Sequence, residues 1–180
     1  MKRSLMKIEK MLLTGLMGGL TFGVTLLGFS GMAAQAQSQV TQNQNAALNA
    51  IAKMMEGQRT YYAKNGQWLN VVSNVQKDFD AVLPPTFDYA IRTTTEAAYS
   101  YVIPATSPLI NQLSSYVGAA LLVPNSKVLI ITIICKNNQP GQIRPSDPQI
   151  VRGADPTQPP LYLACGDNSV EIPASIYTEK

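Results

Sequence analysis

The chain holds 180 residues, enough for one globular domain around a single core, and contains no histidine and two cysteines. Its formal charge of +3 sits in Lys2, Arg3, Lys7 and Lys10, opposed there by Glu9 alone, and from Gln37 onward basic and acidic residues balance. The balance leaves no basic patch for nucleic acid, and the lack of histidine excludes Ser-His and Cys-His nucleophile pairs and the commonest metal ligand.

The basic start is followed by an apolar run, Met11–Met32, and no charge appears between Lys10 and Lys53. The run ends in Ala33-Ala34-Gln35-Ala36, where Ala34 and Ala36 form the small-x-small pattern of a signal-peptidase site. Residues 1–36 therefore predict a signal peptide, with Gln37 as the new N-terminus. The alternative is retention: Met11–Met32 is long enough to span a bilayer and would anchor the protein in the inner membrane.

Residues 37–66 predict one long amphipathic helix, the spine of the domain. Leu48, Ile51, Met55 and Tyr62 fall at helical spacing, flanked by Ala47, Met54 and Tyr61. Lys64 suits the last turn, and Asn65-Gly66 can close the helix in a left-handed conformation. Residues 67–86 read as a connector ending at Pro84-Pro85, with Trp68 covering an edge of the core.

From Phe87 the period changes to two. Phe87, Tyr89 and Ile91, and then Tyr99, Tyr101 and Ile103, predict a hairpin with an aromatic face that the helix covers. The other reading of that face is a small-ligand site on Tyr99 and Tyr101. Ser107–Ser114 suggests a short helical turn, and Tyr116–Val123 is apolar. Val128–Ile134 is nearly all β-branched or aliphatic and predicts a central strand buried on much of both faces, closed by Cys135. Residues 137–164 hold many prolines and polar residues and predict an irregular surface loop. Leu161–Cys165 returns as a strand, Ser169–Ile172 adds another, and 165–180 forms the C-terminal segment.

Cys135 and Cys165 make a poor metal site so far apart in sequence, and neither has a neighbour that would activate a thiolate. In an exported chain a disulfide is the natural state. Asp78 and Asp80 lie beside Lys77 in a polar stretch, and Asp147, Asp155 and Asp167 lack calcium-loop spacing. No phosphate loop or nucleophile elbow occurs. The chain is expected to be no enzyme and to hold no cofactor or metal.

Five stretches resemble the type IV pilin-like G/H proteins of cyanobacteria. Arg59–Trp68, with Tyr61, Tyr62, Asn65, Gly66 and Trp68, is similar to their helix end Q-x-x-Y-Y-x-x-N-G-x-F/W. Phe87–Ile91 stands where their N-Y-x-Y-x-I falls, and Ser115–Ala120, with Tyr116, Val117 and Gly118, resembles S-Y-V-G-G-V. Ile133–Lys136 is similar to I-L-C-E, and Cys165-Gly166 to a final C-P-x-G without its proline. The resemblance spans about Ala47 to Asp167. It implies an α+β, pilin-like fold: a long N-terminal helix on a four- to five-stranded antiparallel sheet, with the loop between the cysteines corresponding to the pilin D-region.

One departure bears on function. A prepilin site, glycine then Phe-Thr-Leu-x-Glu, is missing: neither Gly19-Leu20-Thr21-Phe22 nor Gly28-Phe29-Ser30 is followed by the required glutamate. The resemblance therefore implies a domain released to the periplasm or medium, more than a filament subunit. Its partners would be proteins of pili, secretion systems or cell surfaces, met through the loop Lys136–Ala164 and the end of the hairpin. Nucleic acid is not expected, and membrane contact is expected only if Met11–Met32 is kept.

Overall fold

The computed structural model describes residues 29–123, 129–151 and 162–177. Residues 1–28, which include most of the predicted leader, 124–128, 152–161 with Asp155, and 178–180 lie outside the described residues.

The spine is α1, Phe29–Asn65, a helix that begins earlier than the sequence pattern and runs unbroken through the predicted cleavage residues Ala34, Ala36 and Gln37. Gln35 to Gln39 are exposed, and burial starts at Val40. The buried stripe is Ala47, Ala50, Ile51, Met54, Met55 and Gln58, with Leu48, Tyr61 and Tyr62 packed at its margins. Gly66 ends the helix at φ 67°, its N–H donating to the Tyr62 carbonyl at 2.8 Å. Asn65 donates its side-chain amide to Tyr61 O at 2.9 Å. Only a residue without Cβ takes that left-handed conformation at no cost. Among the described residues no helix is long and apolar enough to cross a membrane.

The connector is more structured than its composition predicts. After a single 3-10 turn it forms α2, Val75–Phe79, closed by Asp80 in the left-handed region. Phe79 packs on α1 where Gly57 leaves room: a Cβ at 57 would sit 2.1 Å from the Phe79 ring. Five residues with only Val75 and Phe79 apolar show no periodicity to read, so tertiary contact makes this helix.

The main sheet contains β1 (Phe87–Thr93), β2 (Ala97–Pro104), β3 (Ser114–Leu122), β4 (Ile130–Pro140) and β7 (Ser169–Glu171), in spatial order β1-β2-β3-β4-β7 with every pairing antiparallel. A separate ribbon pairs β5 (Gln149–Val151) with β6 (Tyr162–Ala164). The predicted irregular loop is thus ordered at both ends, as the extension of β4 to Pro140 and as this ribbon.

Two expectations are corrected. The central, doubly buried strand is β3, not Val128–Ile134: Ser114 to Leu121 are all buried, whereas Thr132 in β4 is exposed. β3 has strands on both sides along its length, but β7 covers β4 only from Cys135 to Asn137. The hairpin also has no single aromatic face. Its register pairs Tyr89 with Val102, Ala90 with Tyr101 and Arg92 with Tyr99. Paired residues share a face, so Phe87, Tyr89 and Ile91 go toward α1 while Tyr99, Tyr101 and Ile103 go to the opposite face. The closing pair Thr93–Ala98 sets this parity, and side-chain alternation cannot report it.

α1 lies on β3. A Cβ at Gly118 would meet Met55 Sδ at 2.1 Å and Ile51 Cγ1 at 3.1 Å, so the missing side chain sets how near the helix sits. Burying side chains such as Ile51, Met54 and Ile134 there stabilises the fold by about 1.5–3 kcal/mol each.

The disulfide-closed face as a candidate functional site

The face of the sheet away from α1 carries a second apolar cluster: Tyr101, Val117, Ala119, Leu121, Ile133 and Cys135 are buried, with Ile150, Leu163 and Cys165 packed on them from the β5–β6 ribbon. Cys135 of β4 and Cys165, just after β6, are joined in a disulfide with their Cα atoms 5.7 Å apart. It ties the returning chain to the strand from which it left.

Polar contacts hold the rest of this segment. Gly141, at φ 116°, donates its N–H to Leu113 O at 2.8 Å, and Ser115 Oγ donates to Gly141 O at 3.0 Å. Asn137, buried, donates its side-chain amide to Ile143 O at 3.3 Å. The carboxylate of Asp147 accepts from the Arg92 guanidinium on β1 and from the Tyr101 hydroxyl on β2. The Arg92 guanidinium stands 4.3 Å from the centre of the Tyr99 ring, and that of Arg144 stands 4.0 Å from the centre of Tyr101. Gly166 closes the packing, for a Cβ there would lie 2.5 Å from Ser146 Cβ. Burial, then the bond to Asp147, pushes the Tyr101 phenol up, so it stays a neutral donor.

Tyr99 and Tyr101 therefore form no open aromatic groove. Their rings lie under guanidinium groups, and Tyr101 is fully buried. The sequence pattern assigns their cover to the helix, but the segment between the cysteines provides it. Its outer surface leaves Ile143 and Tyr162 exposed at 48% and 37%. Beside them lies a cleft of about 590 Å³ lined by Arg144, Ser146, Asp147, Gln149, Gly166 and Asp167. Among the described residues no three His, Cys, Asp or Glu side chains are grouped to hold a metal.

The remaining motif residues serve the other face. Tyr62 stacks on Trp68 with ring centres 4.2 Å apart, and Trp68 is buried at the core edge. Tyr116 points to α1, where its hydroxyl donates to Gln44 Oε1 at 2.8 Å, and burial pushes its phenol up to about 12. Val117 and Gly118 occupy opposite faces of β3. Sequence reasoning missed Gln58. Fully buried, it donates Nε2–H to Leu69 O at 2.7 Å and accepts from Leu69 N–H at 3.1 Å, locking the connector to α1. The signal was present: Gln58 is the glutamine that opens Q-x-x-Y-Y.

The family model for type IV pilin-like G and H proteins matches residues 44–160, from within α1 to a point short of Cys165. No curated protein and no solved structure matches the chain. The C-terminal motif around Cys165-Gly166 lies beyond the matched range.

Proposed function

Because the chain belongs to the type IV pilin-like G and H family, we propose that it is an exported, non-enzymatic protein that works through protein contacts at pili, secretion machinery or the cell surface. The observation that carries the reading is the construction of the disulfide-closed face. A covalent bond, the Asp147 bridge and the Gly141–Ser115 contact fix one segment on the sheet, with Ile143 and Tyr162 turned outward. A surface held in this way is preorganised, and less ordering entropy is lost when a partner binds it. The missing catalytic constellations and the signal-peptidase pattern at Ala34–Gln37 support the non-enzymatic and exported parts.

One observation favours a second reading, an inner-membrane-anchored component that keeps Met11–Met32. α1 is continuous through Ala36 and extends past the packed body, as a retained stem would. N-terminal sequencing and intact mass of the protein isolated from its host separate the two. A start at Gln37 in the soluble exported fraction supports release. A chain that retains Met11–Met32 in the membrane fraction rejects release and leaves the anchored component.

A further inference from the structure

The corner where α1 hands over to the connector contains the one Asn-Gly pair of the chain, Asn65-Gly66. Glycine stands at 66 because the helix closes in the left-handed region, at φ 67°. The same missing side chain leaves the Gly66 nitrogen unshielded beside the Asn65 amide. Lys64 to Gln67 are all exposed, so water reaches the pair. Asparagine before glycine is the pair in which an amide side chain is most readily attacked by the next backbone nitrogen.

Three features of the fold hold that attack back. Asn65 is the last residue of α1, and a helical ψ of about −42° turns the Gly66 nitrogen away from the Asn65 side chain. Ring closure needs the two nearly eclipsed. The Gly66 N–H donates to Tyr62 O at 2.8 Å, which holds its proton in place. Asn65 Nδ2–H donates to Tyr61 O at 2.9 Å, which draws the side chain back along the helix. The corner is kept shut from the connector side, by the Tyr62–Trp68 stack and the two bonds between Gln58 and Leu69.

We propose that Asn65 is a site of self-modification, converted to aspartate and isoaspartate at a rate set by the opening of this corner, and that the product loosens the connector. When the last turn frays, the Gly66 nitrogen gives up its proton and bonds to Asn65 Cγ. The Cγ–Nδ2 bond breaks, and ammonia leaves with that proton. The resulting succinimide takes up water: opening at Cγ gives aspartate, and opening at the backbone carbonyl gives isoaspartate. In both cases a proton of the water returns to the Gly66 nitrogen. Nothing is oxidised or reduced, and water is the sole co-reactant. Either product puts a carboxylate in place of the donor to Tyr61 O, at the end of α1 where free carbonyls and the macrodipole disfavour negative charge. Isoaspartate also lengthens the backbone by one carbon ahead of Trp68. The inference is independent of export and of pilus association.

Peptide mapping by mass spectrometry, after holding the whole chain at mildly alkaline pH, tests it. In denaturant Asn65 should convert; in the folded chain it should convert at least about tenfold more slowly, a protection of about 1.4 kcal/mol. Gln58→Ala removes both bonds to Leu69 and should restore much of the lost rate. Tyr62→Leu, which removes the stack on Trp68, takes its place if circular dichroism shows that Gln58→Ala does not fold. Asn65→Asp should mimic the product and shift the emission of Trp68, the only tryptophan, to the red. No conversion in denaturant overturns the proposal. So does a folded chain that converts as fast as the denatured one, or a folded variant that converts no faster than its parent. Unchanged emission in Asn65→Asp overturns the loosening of the connector.

Discussion

The two faces of the sheet are held by different physics. Toward α1, contact is by shape: the gap at Gly118 receives Met55, and apolar side chains from helix and strands close over each other. On the opposite face a shorter segment with few apolar residues is fastened by a disulfide, a carboxylate shared between Arg92 and Tyr101, and guanidinium groups over two rings. The first mode strengthens with buried area, is not screened by salt and does not depend on redox state. The second suits a segment with few apolar residues, because one covalent bond replaces much of the missing core. A fold divided in this way packs one face by shape and fastens the other by specific bonds.

The largest expected effect separates the faces directly. Cys135→Ala with Cys165→Ala removes a cross-link closing a loop of sequence separation 30 and should lower stability by roughly 3–4 kcal/mol. Hydrogen exchange should then find amides of Gln149–Val151 and Tyr162–Ala164 exchanging faster while α1 stays protected from Ala47 to Gln58. Equal loss of protection in α1 would show that the two faces are not separable. Denaturing thiol titration of the unmodified chain should accordingly find no reactive thiol, as both cysteines are bridged.

Alkali should act on the helix face. Burial raises the Tyr116 phenol to about 12, above its ordinary value of about 10 when unfolded. The neutral form is the one the fold prefers, so this contribution is complete below pH about 10 and is lost as pH rises through about 12. The loss from this group is roughly 2–3 kcal/mol, and Tyr116→Phe should flatten that part of the stability curve measured by urea unfolding. An unchanged slope would mean that other tyrosines carry the effect.

Gly118→Ala should cost about 1–3 kcal/mol through overpacking, since Met55 and Ile51 must move to admit a Cβ. Thermal melts with Met55→Ala added would sharpen the result: the shortened side chain should recover part of the loss. The smallest effect belongs to Asp147→Asn. Arg92 and Asp147 keep 42% and 31% of their side-chain surface exposed, so the ion pair is worth under about 1 kcal/mol and should fade with salt. A larger, salt-independent loss would point to the Tyr101 hydrogen bond as the part that matters.

The sequence made some of these features legible and hid others for physical reasons. The α1 stripe, the β1 alternation and the cysteine pairing can be read because each rests on local period or on a residue type with few uses. α2 cannot, as it exists only where Phe79 finds Gly57. The division of the hairpin tyrosines between faces depends on turn parity, and Asp147 meets Arg92 across 55 positions of chain, which no spacing rule reports. β3 is hard to see as the middle strand because Gly118, Ala119 and Ala120 look unlike a core in composition. Small residues there let two layers approach from both sides.

The Cys135–Cys165 bond also sets how the molecule would respond to force. Pulled from its two ends, the oxidised chain cannot extend between the bridged residues, so their contour is hidden from the load. At about 3.3–3.6 Å per residue, a separation of 30 positions conceals roughly 100 Å of length. The β5–β6 ribbon thus sits outside the load path, and its contacts survive a stretch that unravels α1. Reduction would bring that length into the line of tension, appearing as a longer final step in a single-molecule extension trace.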